Sequence, residues 1–152
     1  MILFLDFDGV LHPWCSPRSE YFCYLPRLEA VLRDYSDVEI VISSDWRLYF
    51  SLAQIRRHFS DDLAMRVIGQ TPSLGDGSLN QDGLRRREAL AFLERSGSPT
   101  RPWCALDDRL DLWEPTEPRI IYCPDQFGER EEALLRGLLD MQLGENTLRE
   151  NS

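Results

Sequence analysis

Two aspartates that stand two residues apart, Asp6 and Asp8, follow the apolar run of residues 1–5. Side chains of a strand alternate between its faces, so both carboxylates would point the same way, about 6.5 to 7 Å apart along the backbone. Two carboxylates at this distance repel each other unless a cation, a proton or a reaction makes use of them. The same spacing is common in solvated turns. Here, however, the preceding run has the pattern of a buried parallel strand, and Gly9 allows a sharp turn after it.

Two further groups of polar side chains follow apolar runs directly. Ser43 and Ser44 follow one run, and Asp107 and Asp108 follow another. Serine and aspartate are ordinary helix caps and turn formers, so each group taken alone is explained by local structure. In open parallel sheets, however, ligands bind outside the carboxyl ends of the strands, which is where all three groups would meet.

The elements that would position these groups form an alternating pattern. Five short apolar runs, most of them followed by a helical pattern, predict a parallel sheet. They cover residues 2–5, 38–42, 65–68, 103–106 and 119–122. The sequence therefore predicts an α/β fold with a single doubly wound, Rossmann-like parallel sheet of about five strands.

Four helical patterns connect or follow these runs. The first begins at Pro26, and the second follows Asp45 with Leu48 on its inward face. The third has Asp82 as its N-cap, and the last stops before Gly144.

Length and composition predict one globular domain over residues 1–144, followed by a flexible tail over 145–152. With 152 residues, of which 43% are hydrophobic, the chain can bury a core without disulfides. Its four cysteines show neither zinc-ligand nor disulfide spacing, which favours reduced thiols and a cytoplasmic location. The first apolar run is too short for a signal peptide or a membrane span, so no membrane partner is expected.

The order of the polar groups resembles the signature of the haloacid dehalogenase (HAD) superfamily. That signature is Asp-x-Asp-Gly, a strand-terminal Ser or Thr, a Lys or Arg, and an acidic pair. The matching positions are Asp6 to Val10, Ser43 with Ser44 beside it, Arg85, and Asp107 with Asp108 and Asp111. Arg85 stands where lysine is commoner, and Arg86 and Arg87 are alternatives for the same role.

The resemblance implies a phosphatase with two catalytic aspartates. Asp6 would attack phosphorus and form an aspartyl-phosphate. Asp8 would protonate the leaving oxygen and later deprotonate the attacking water, for which a raised pKa would suit it. Ser43, with Ser44 as its neighbour, and Arg85 would hold the phosphoryl oxygens.

The resemblance also implies Mg²⁺ as cofactor. This ion takes oxygen ligands and combines one or two carboxylates with substrate phosphate and water. The implied ligands are the side chains of Asp6 and Asp107 and the carbonyl oxygen of Asp8. Either Asp108 or Asp111 would lie just outside the ligands.

Three longer stretches resemble a small capless bacterial branch of the superfamily, some of whose members sit beside RNA-repair enzymes. They are residues 8–13, 43–47 and 105–108. A fold without a cap domain implies an open site, which suits a large phosphorylated substrate such as a nucleic-acid end or a phosphoprotein. The net charge of −9 argues mildly against nucleic acid.

Three residues beside the motifs, His12, Trp46 and Arg47, are candidate substrate contacts. Aromatic rings and guanidinium groups stack on bases, and His12 could line the entrance of the site. Each also has a structural interpretation, as a solvated loop residue or as a side chain packed on the core. The sequence defines neither the natural substrate nor the oligomeric state.

Two other classes of protein share parts of this pattern. A signalling receiver is also a doubly wound sheet with acidic residues and magnesium, but receivers carry the acidic pair on the first strand, whereas this chain has it on the fourth. The second class is an inactive relative that serves as a non-catalytic binding module. The presence of every residue type that the chemistry needs favours an enzyme.

Overall fold

The computed structural model describes residues 1–150 and has one sheet of five parallel strands with helices on both faces. The strands are β1 (Ile2–Leu5), β2 (Glu39–Ile42), β3 (Val67–Gln70), β4 (Trp103–Asp107) and β5 (Ile120–Tyr122). Their order across the sheet is β3-β2-β1-β4-β5. The predicted single doubly wound sheet is confirmed, and the described residues form no cap domain.

The helices of the described residues are α1 (Leu25–Asp34), α2 (Leu52–Arg56), α3 (Asp61–Ala64), α4 (Leu84–Arg95) and α5 (Glu129–Glu150). Short 3₁₀ turns lie at Arg18–Glu20, Asp45–Leu48 and Leu110–Leu112. Within residues 1–150, no helix combines the length and the apolar character that crossing a membrane requires.

The central strand β1 is paired in parallel with β2 on one side and with β4 on the other. Its last residue, Leu5, is level with Ile42 of β2 and with Leu106 of β4. Asp6 follows β1, Ser43 follows β2 and Asp107 ends β4. These three polar residues therefore lie side by side.

Two hydrophobic cores lie on opposite faces of the sheet, and β1 contributes to both. Leu3 and Leu5 pack into the core shared with α1, α2 and α5, whereas Ile2 and Phe4 pack into the core shared with α4. All four side chains are at most 1% exposed. Each contributes roughly 1.5–3 kcal/mol by burial. A slip of one residue would exchange the two faces, so this packing fixes the register.

The prediction of a single helix after Asp45 is wrong. The chain forms a 3₁₀ turn, then α2 and then α3, and Leu48 is 51% exposed instead of facing inward. The interruption comes from Ser51, whose hydroxyl accepts from the backbone N–H of Gln54 while the Gln54 side chain accepts from the backbone N–H of Ser51. This capping box starts a new helix at that point.

Two predicted helix ends also differ. Gly83, with a left-handed φ of 65°, precedes α4 in the place predicted for Asp82, and its carbonyl oxygen accepts from Arg87. The last helix does not stop before Gly144 but runs to Glu150. Glycine inside a helix costs only about 1 kcal/mol relative to alanine, which is too little to end a helix by itself. The last two residues lie outside the described range, and the flexibility of a tail stays a prediction.

A buried ion pair ties the loop of residues 71–83 to the turn after β2. Arg47 and Glu88 are 8% and 2% exposed, and Nη2 of Arg47 donates to Oε2 of Glu88 at 2.7 Å. The other Glu88 oxygen accepts from the backbone N–H of Leu74 at 3.0 Å. Arg47 also donates to the carbonyl oxygens of Ser43, Ser44 and Thr71. Its guanidinium therefore holds the backbone together and does not face the solvent as a substrate contact would.

We expect Glu88→Ala to lower the free energy of unfolding by about 3 to 5 kcal/mol, because the Arg47 charge would stay buried without a partner. Chemical denaturation measures this loss. Asp62→Ala is the control, since it removes an exposed carboxylate that pairs with the exposed Arg33. The loss in free energy of unfolding should be much smaller for Asp62→Ala than for Glu88→Ala. Equal losses for the two variants would contradict the role given to Glu88.

Candidate active site

Three carboxylates, those of Asp6, Asp107 and Asp108, meet at the carboxyl edge of the sheet. One oxygen of each lies within 4.8 Å of an oxygen of the others. Asp6 and Asp107 are buried, and Asp108 is half-buried. The in-register pairing of β1 with β4 brings them together, because the strands carry these aspartates at or just beyond their last paired residues.

Gly9 makes room for the third carboxylate. Its φ is 76°, and a Cβ at this position would lie 2.4 Å from Oδ2 of Asp108. Real Cβ atoms do not approach other atoms this closely, so any side chain at position 9 would displace Asp108. The glycine is therefore needed both for the turn after β1 and for the carboxylate cluster.

Arg85, in the first turn of α4, provides the positive charge of the cluster. Its Nη1 donates to Oδ2 of Asp107 at 2.6 Å and lies 3.1 Å from Oδ2 of Asp6. Arg85 is 7% exposed, and its guanidinium links the two buried carboxylates of the cluster.

The residues that the sequence left open as alternatives to Arg85 and Asp108 lie outside the carboxylate cluster. Arg86 pairs with Glu114, and Arg87 donates to the carbonyl oxygen of Asp82. Asp111 pairs with Arg109 at the surface, where both side chains are about half exposed. Arg85 and Asp108 are therefore the members of these sets that the fold brings to the site.

Burial raises the pKa of Asp6 to about 6, with a further rise from Asp108, although Arg85 acts in the opposite direction. Burial and the neighbouring Asp6 raise the pKa of Asp107 to about 6 as well. Burial also raises the pKa of Asp108. One guanidinium thus does not compensate for three crowded carboxylates. A divalent cation among them would supply the missing positive charge.

The donor set fits Mg²⁺, a hard cation that takes oxygen ligands and is commonly held by a small number of carboxylates. Asp6, Asp107 and Asp108 offer such oxygens on one side of the site. A dication plus Arg85 would match the charge of the three carboxylates, so the site would no longer repel an anionic substrate.

The carboxylate of Asp107 is fixed by partners that the sequence did not reveal. Oδ2 accepts from Nε1 of Trp113 at 2.9 Å in addition to Arg85, and Oδ1 accepts from the backbone N–H of Arg109 at 2.9 Å. Trp113 is 2% exposed and packs in the core on the α4 side. Its apolar surroundings give no local signal for a bond to an aspartate, so a sequence pattern could not identify it.

Ser43 and Ser44 have different surroundings. The hydroxyl of Ser44 accepts from the backbone N–H of Trp46 and caps the 3₁₀ turn. The hydroxyl of Ser43 is buried and has no hydrogen-bond partner among the described residues. A buried unpaired hydroxyl costs roughly 1–3 kcal/mol. Ser43 is therefore the one of the two that is free to bind a ligand oxygen at the site.

Asp8 points out from the turn after β1, with 41% of its side chain exposed. Its Oδ1 accepts from Nε2 of His12 at 2.8 Å, and its Oδ2 accepts from Nε1 of Trp46 at 3.1 Å. The bond from His12 and the weaker contribution of Trp46 hold the pKa of Asp8 below its usual value, despite partial burial. The raised pKa expected from the sequence is therefore wrong for this state of the protein, because two donors stabilise the carboxylate.

His12 is 0% exposed and does not line the entrance of the site. Its Nδ1 accepts from the backbone N–H of Phe22 at 3.3 Å. An imidazole nitrogen that accepts carries no proton, so the proton is on Nε2, which donates to Asp8. His12 is thus a neutral imidazole that orients Asp8.

Phe22 has an unusual backbone conformation, with φ of 62°. A left-handed conformation of a residue this large costs on the order of 1–3 kcal/mol and persists only where the surroundings impose it. Here the ring packs 5.1 Å from that of Phe7 and is stacked 4.2 Å from that of His58, centroid to centroid. The result is a backbone N–H aimed at His12.

Trp46, the remaining candidate substrate contact, is half-buried and reaches both Asp8 and an open cleft. The cleft has a volume of about 510 Å³ and begins at Asp8. Of the three candidates, Trp46 is the one that the structure places at the surface of the site.

Comparison with protein families gives a match over most of the chain. The model of a family described as the HAD domain in Swiss Army Knife RNA repair proteins matches residues 2–133, which include all five strands. No curated protein matches the chain. The match covers most of the chain and includes Asp6, Ser43, Arg85 and Asp107. The chain therefore belongs to this family of HAD domains.

Proposed function

We propose that the protein is a Mg²⁺-dependent phosphomonoesterase with Asp6 as its nucleophile. Membership in the HAD family indicates a hydrolase that transfers phosphoryl groups. The observation that supports the finer assignment is the convergence of Asp6, Asp107 and Asp108 with Arg85 and the unpaired hydroxyl of Ser43. Residues suited to act as nucleophile, as cation ligands and as phosphate donors thus lie together at one edge of the sheet.

Asp6, Asp107 and Asp108 would hold the Mg²⁺ ion, which offsets the charge of a phosphate dianion and polarises its oxygens. Arg85 and Ser43 would bind the phosphoryl oxygens that do not react. The guanidinium matters most in the transition state, where negative charge spreads over these oxygens.

In the first step, a carboxylate oxygen of Asp6 forms a bond to phosphorus and the bond to the leaving oxygen breaks. Asp8 gives its proton to that leaving oxygen, so an alcohol departs. In the second step, water attacks the aspartyl-phosphate and Asp8 takes the proton. Inorganic phosphate leaves, and Asp6 returns to its carboxylate form.

The surroundings of Asp8 suit both steps. The bonds from His12 and Trp46 favour the carboxylate, which is the form that accepts a proton from water. A phosphate dianion beside Asp8 acts in the opposite direction, because a second negative charge favours the protonated acid. Substrate binding would thus promote the acid form needed for the first step.

We propose a macromolecular end as the natural substrate class, with a nucleic-acid end ahead of a phosphoprotein. The described residues form no cap domain over the site, so the cleft beside Asp8 is open. The family description names RNA repair proteins, which supports the nucleic acid. The net charge of −9 favours contact with a short terminal segment over extended binding along a strand.

Asp6→Asn should lower the Mg²⁺-dependent release of phosphate from an aryl phosphate by at least about 10³-fold, since an amide cannot act as the nucleophile. Asp111→Asn is the matched control and should keep its activity, because Asp111 pairs with Arg109 at the surface. Retained turnover in Asp6→Asn would show that the nucleophile is another residue.

Acetyl phosphate separates the phosphatase from a receiver-like module. The enzyme should release phosphate over many turnovers, whereas a receiver accumulates one phosphoryl group per chain. A chain that does neither would be the non-catalytic binding module. Intact-mass measurement together with a phosphate assay distinguishes the three outcomes.

Asp108→Asn should raise the melting temperature of the metal-free protein at pH 7.5 by about 2 °C, because it removes one of three repelling carboxylates. The same variant should show a smaller rise in melting temperature when Mg²⁺ is added, because the stabilisation by a ligand falls with the logarithm of a weakened affinity. Thermal unfolding with EDTA and with Mg²⁺ measures both effects. A lower metal-free melting temperature with an unchanged Mg²⁺ effect would contradict the cation site.

His12→Leu removes the bond that orients Asp8, so its rate on alkyl phosphates should fall about 10-fold more than its rate on p-nitrophenyl phosphate. An alkoxide needs the proton of Asp8 to leave, whereas nitrophenolate leaves without it. His12→Gln retains an N–H donor and should restore part of the rate. If His12→Leu slows both substrates equally, His12 has a structural role alone.

A further inference from the structure

We infer that the cleft beside Asp8 is the subsite for the leaving group and that it takes a nucleoside. This inference rests on the proposed phosphatase function. The cleft is walled by Tyr21, Trp46, Tyr49 and Phe50, and its polar positions beyond Asp8 are held by Arg18, Asp45 and His58. These residues lie outside the carboxylate cluster, and among them Trp46 also donates to the general acid Asp8.

The position of the cleft assigns it to the leaving group. Trp46 donates to Oδ2 of Asp8, so the aromatic wall begins where the leaving oxygen would receive its proton. Arg85 pairs with Asp6 and Asp107 of the cluster, and its Nη2 lies 3.7 Å from Oδ1 of Asp45, which lines the cleft. A substrate with its phosphate at Asp6 therefore extends its alcohol portion past Asp8 into the cleft.

The walls offer flat aromatic surfaces to a planar ligand. The ring of Trp46 lies 5.3 Å from that of Tyr21 and 5.2 Å from that of Phe50, centroid to centroid. Tyr49 is 79% exposed and Phe50 is 43% exposed, so these rings have open surface beside the packed Trp46. Exposed aromatic side chains at the mouth of a site mark a binding surface, and bases stack on such side chains regardless of sequence.

The polar groups favour a nucleoside over a phenol ring. Arg18 is exposed and makes no ion pair within the described part of the chain, so its guanidinium is available to a base or a ribose hydroxyl. His58 is fixed by stacking on Phe22, and burial lowers its pKa, which leaves a neutral imidazole that can hydrogen-bond. A volume of about 510 Å³ lies within the range of small-molecule sites and exceeds the needs of one phenol ring.

The test compares nucleoside monophosphates with glycerol phosphate and with a phosphotyrosine peptide. Tyr49→Ala and Phe50→Ala should each lower kcat/KM for nucleoside monophosphates by about ten-fold, while kcat/KM for glycerol phosphate changes less than about two-fold. Met65→Ala is the control, because Met65 is 85% exposed and does not line the cleft. Equal losses on all substrates, or a preference for the phosphotyrosine peptide, would overturn the assignment.

A second measurement does not depend on turnover. Calorimetry with adenosine and Asp6→Asn protein should detect binding, and the added Tyr49→Ala substitution should weaken it about ten-fold. Active enzyme without adenosine binding would reject the nucleoside subsite and leave the phosphatase intact. Adenosine binding without phosphatase activity would reject the phosphatase and leave a nucleoside-binding cleft.

Discussion

The pairing of β1 between β2 and β4 determines the rest of the site. Backbone hydrogen bonds continue one residue past the paired ends: the N–H of Asp6 donates to the carbonyl oxygen of Leu106, and the N–H of Ser43 donates to that of Leu5. The ladder thereby sets Asp6, Ser43 and Asp107 in one row. Because the two cores on either face of β1 fix the register, the row cannot shift by a residue without exchanging the side chains that each core is packed around.

This row has an electrostatic cost, which Arg85 offsets in part. Removing carboxylates from water is expensive unless opposite charge and hydrogen bonds replace the solvent. A guanidinium suits this position, because its several N–H groups can reach more than one carboxylate at once, whereas an ammonium is a compact point charge. The same crowding that raises the pKa values of Asp6 and Asp107 makes the site selective for positive charge.

Much of the fold and part of the site follow from local sequence patterns. Short apolar runs predict the five strands, and a polar residue directly after a run, such as Asp6 or Asp107, predicts the catalytic edge. The helix after Asp45 was mispredicted because a capping box outweighed the apolar spacing. The burial of His12 and the bond from Trp113 to Asp107 depend on contacts between distant segments, so no local pattern contains them.

The close approach of Asp108 to Gly9 links two distant stretches of the chain. A side chain at position 9 and a carboxylate at position 108 cannot share the same space. The residues that are tolerated at either position therefore depend on the residue at the other position. A lineage that acquires alanine at position 9 must replace or reorient the acid at 108, which would change the carboxylate cluster. The two positions should vary together among relatives of this protein, although they lie far apart in the sequence.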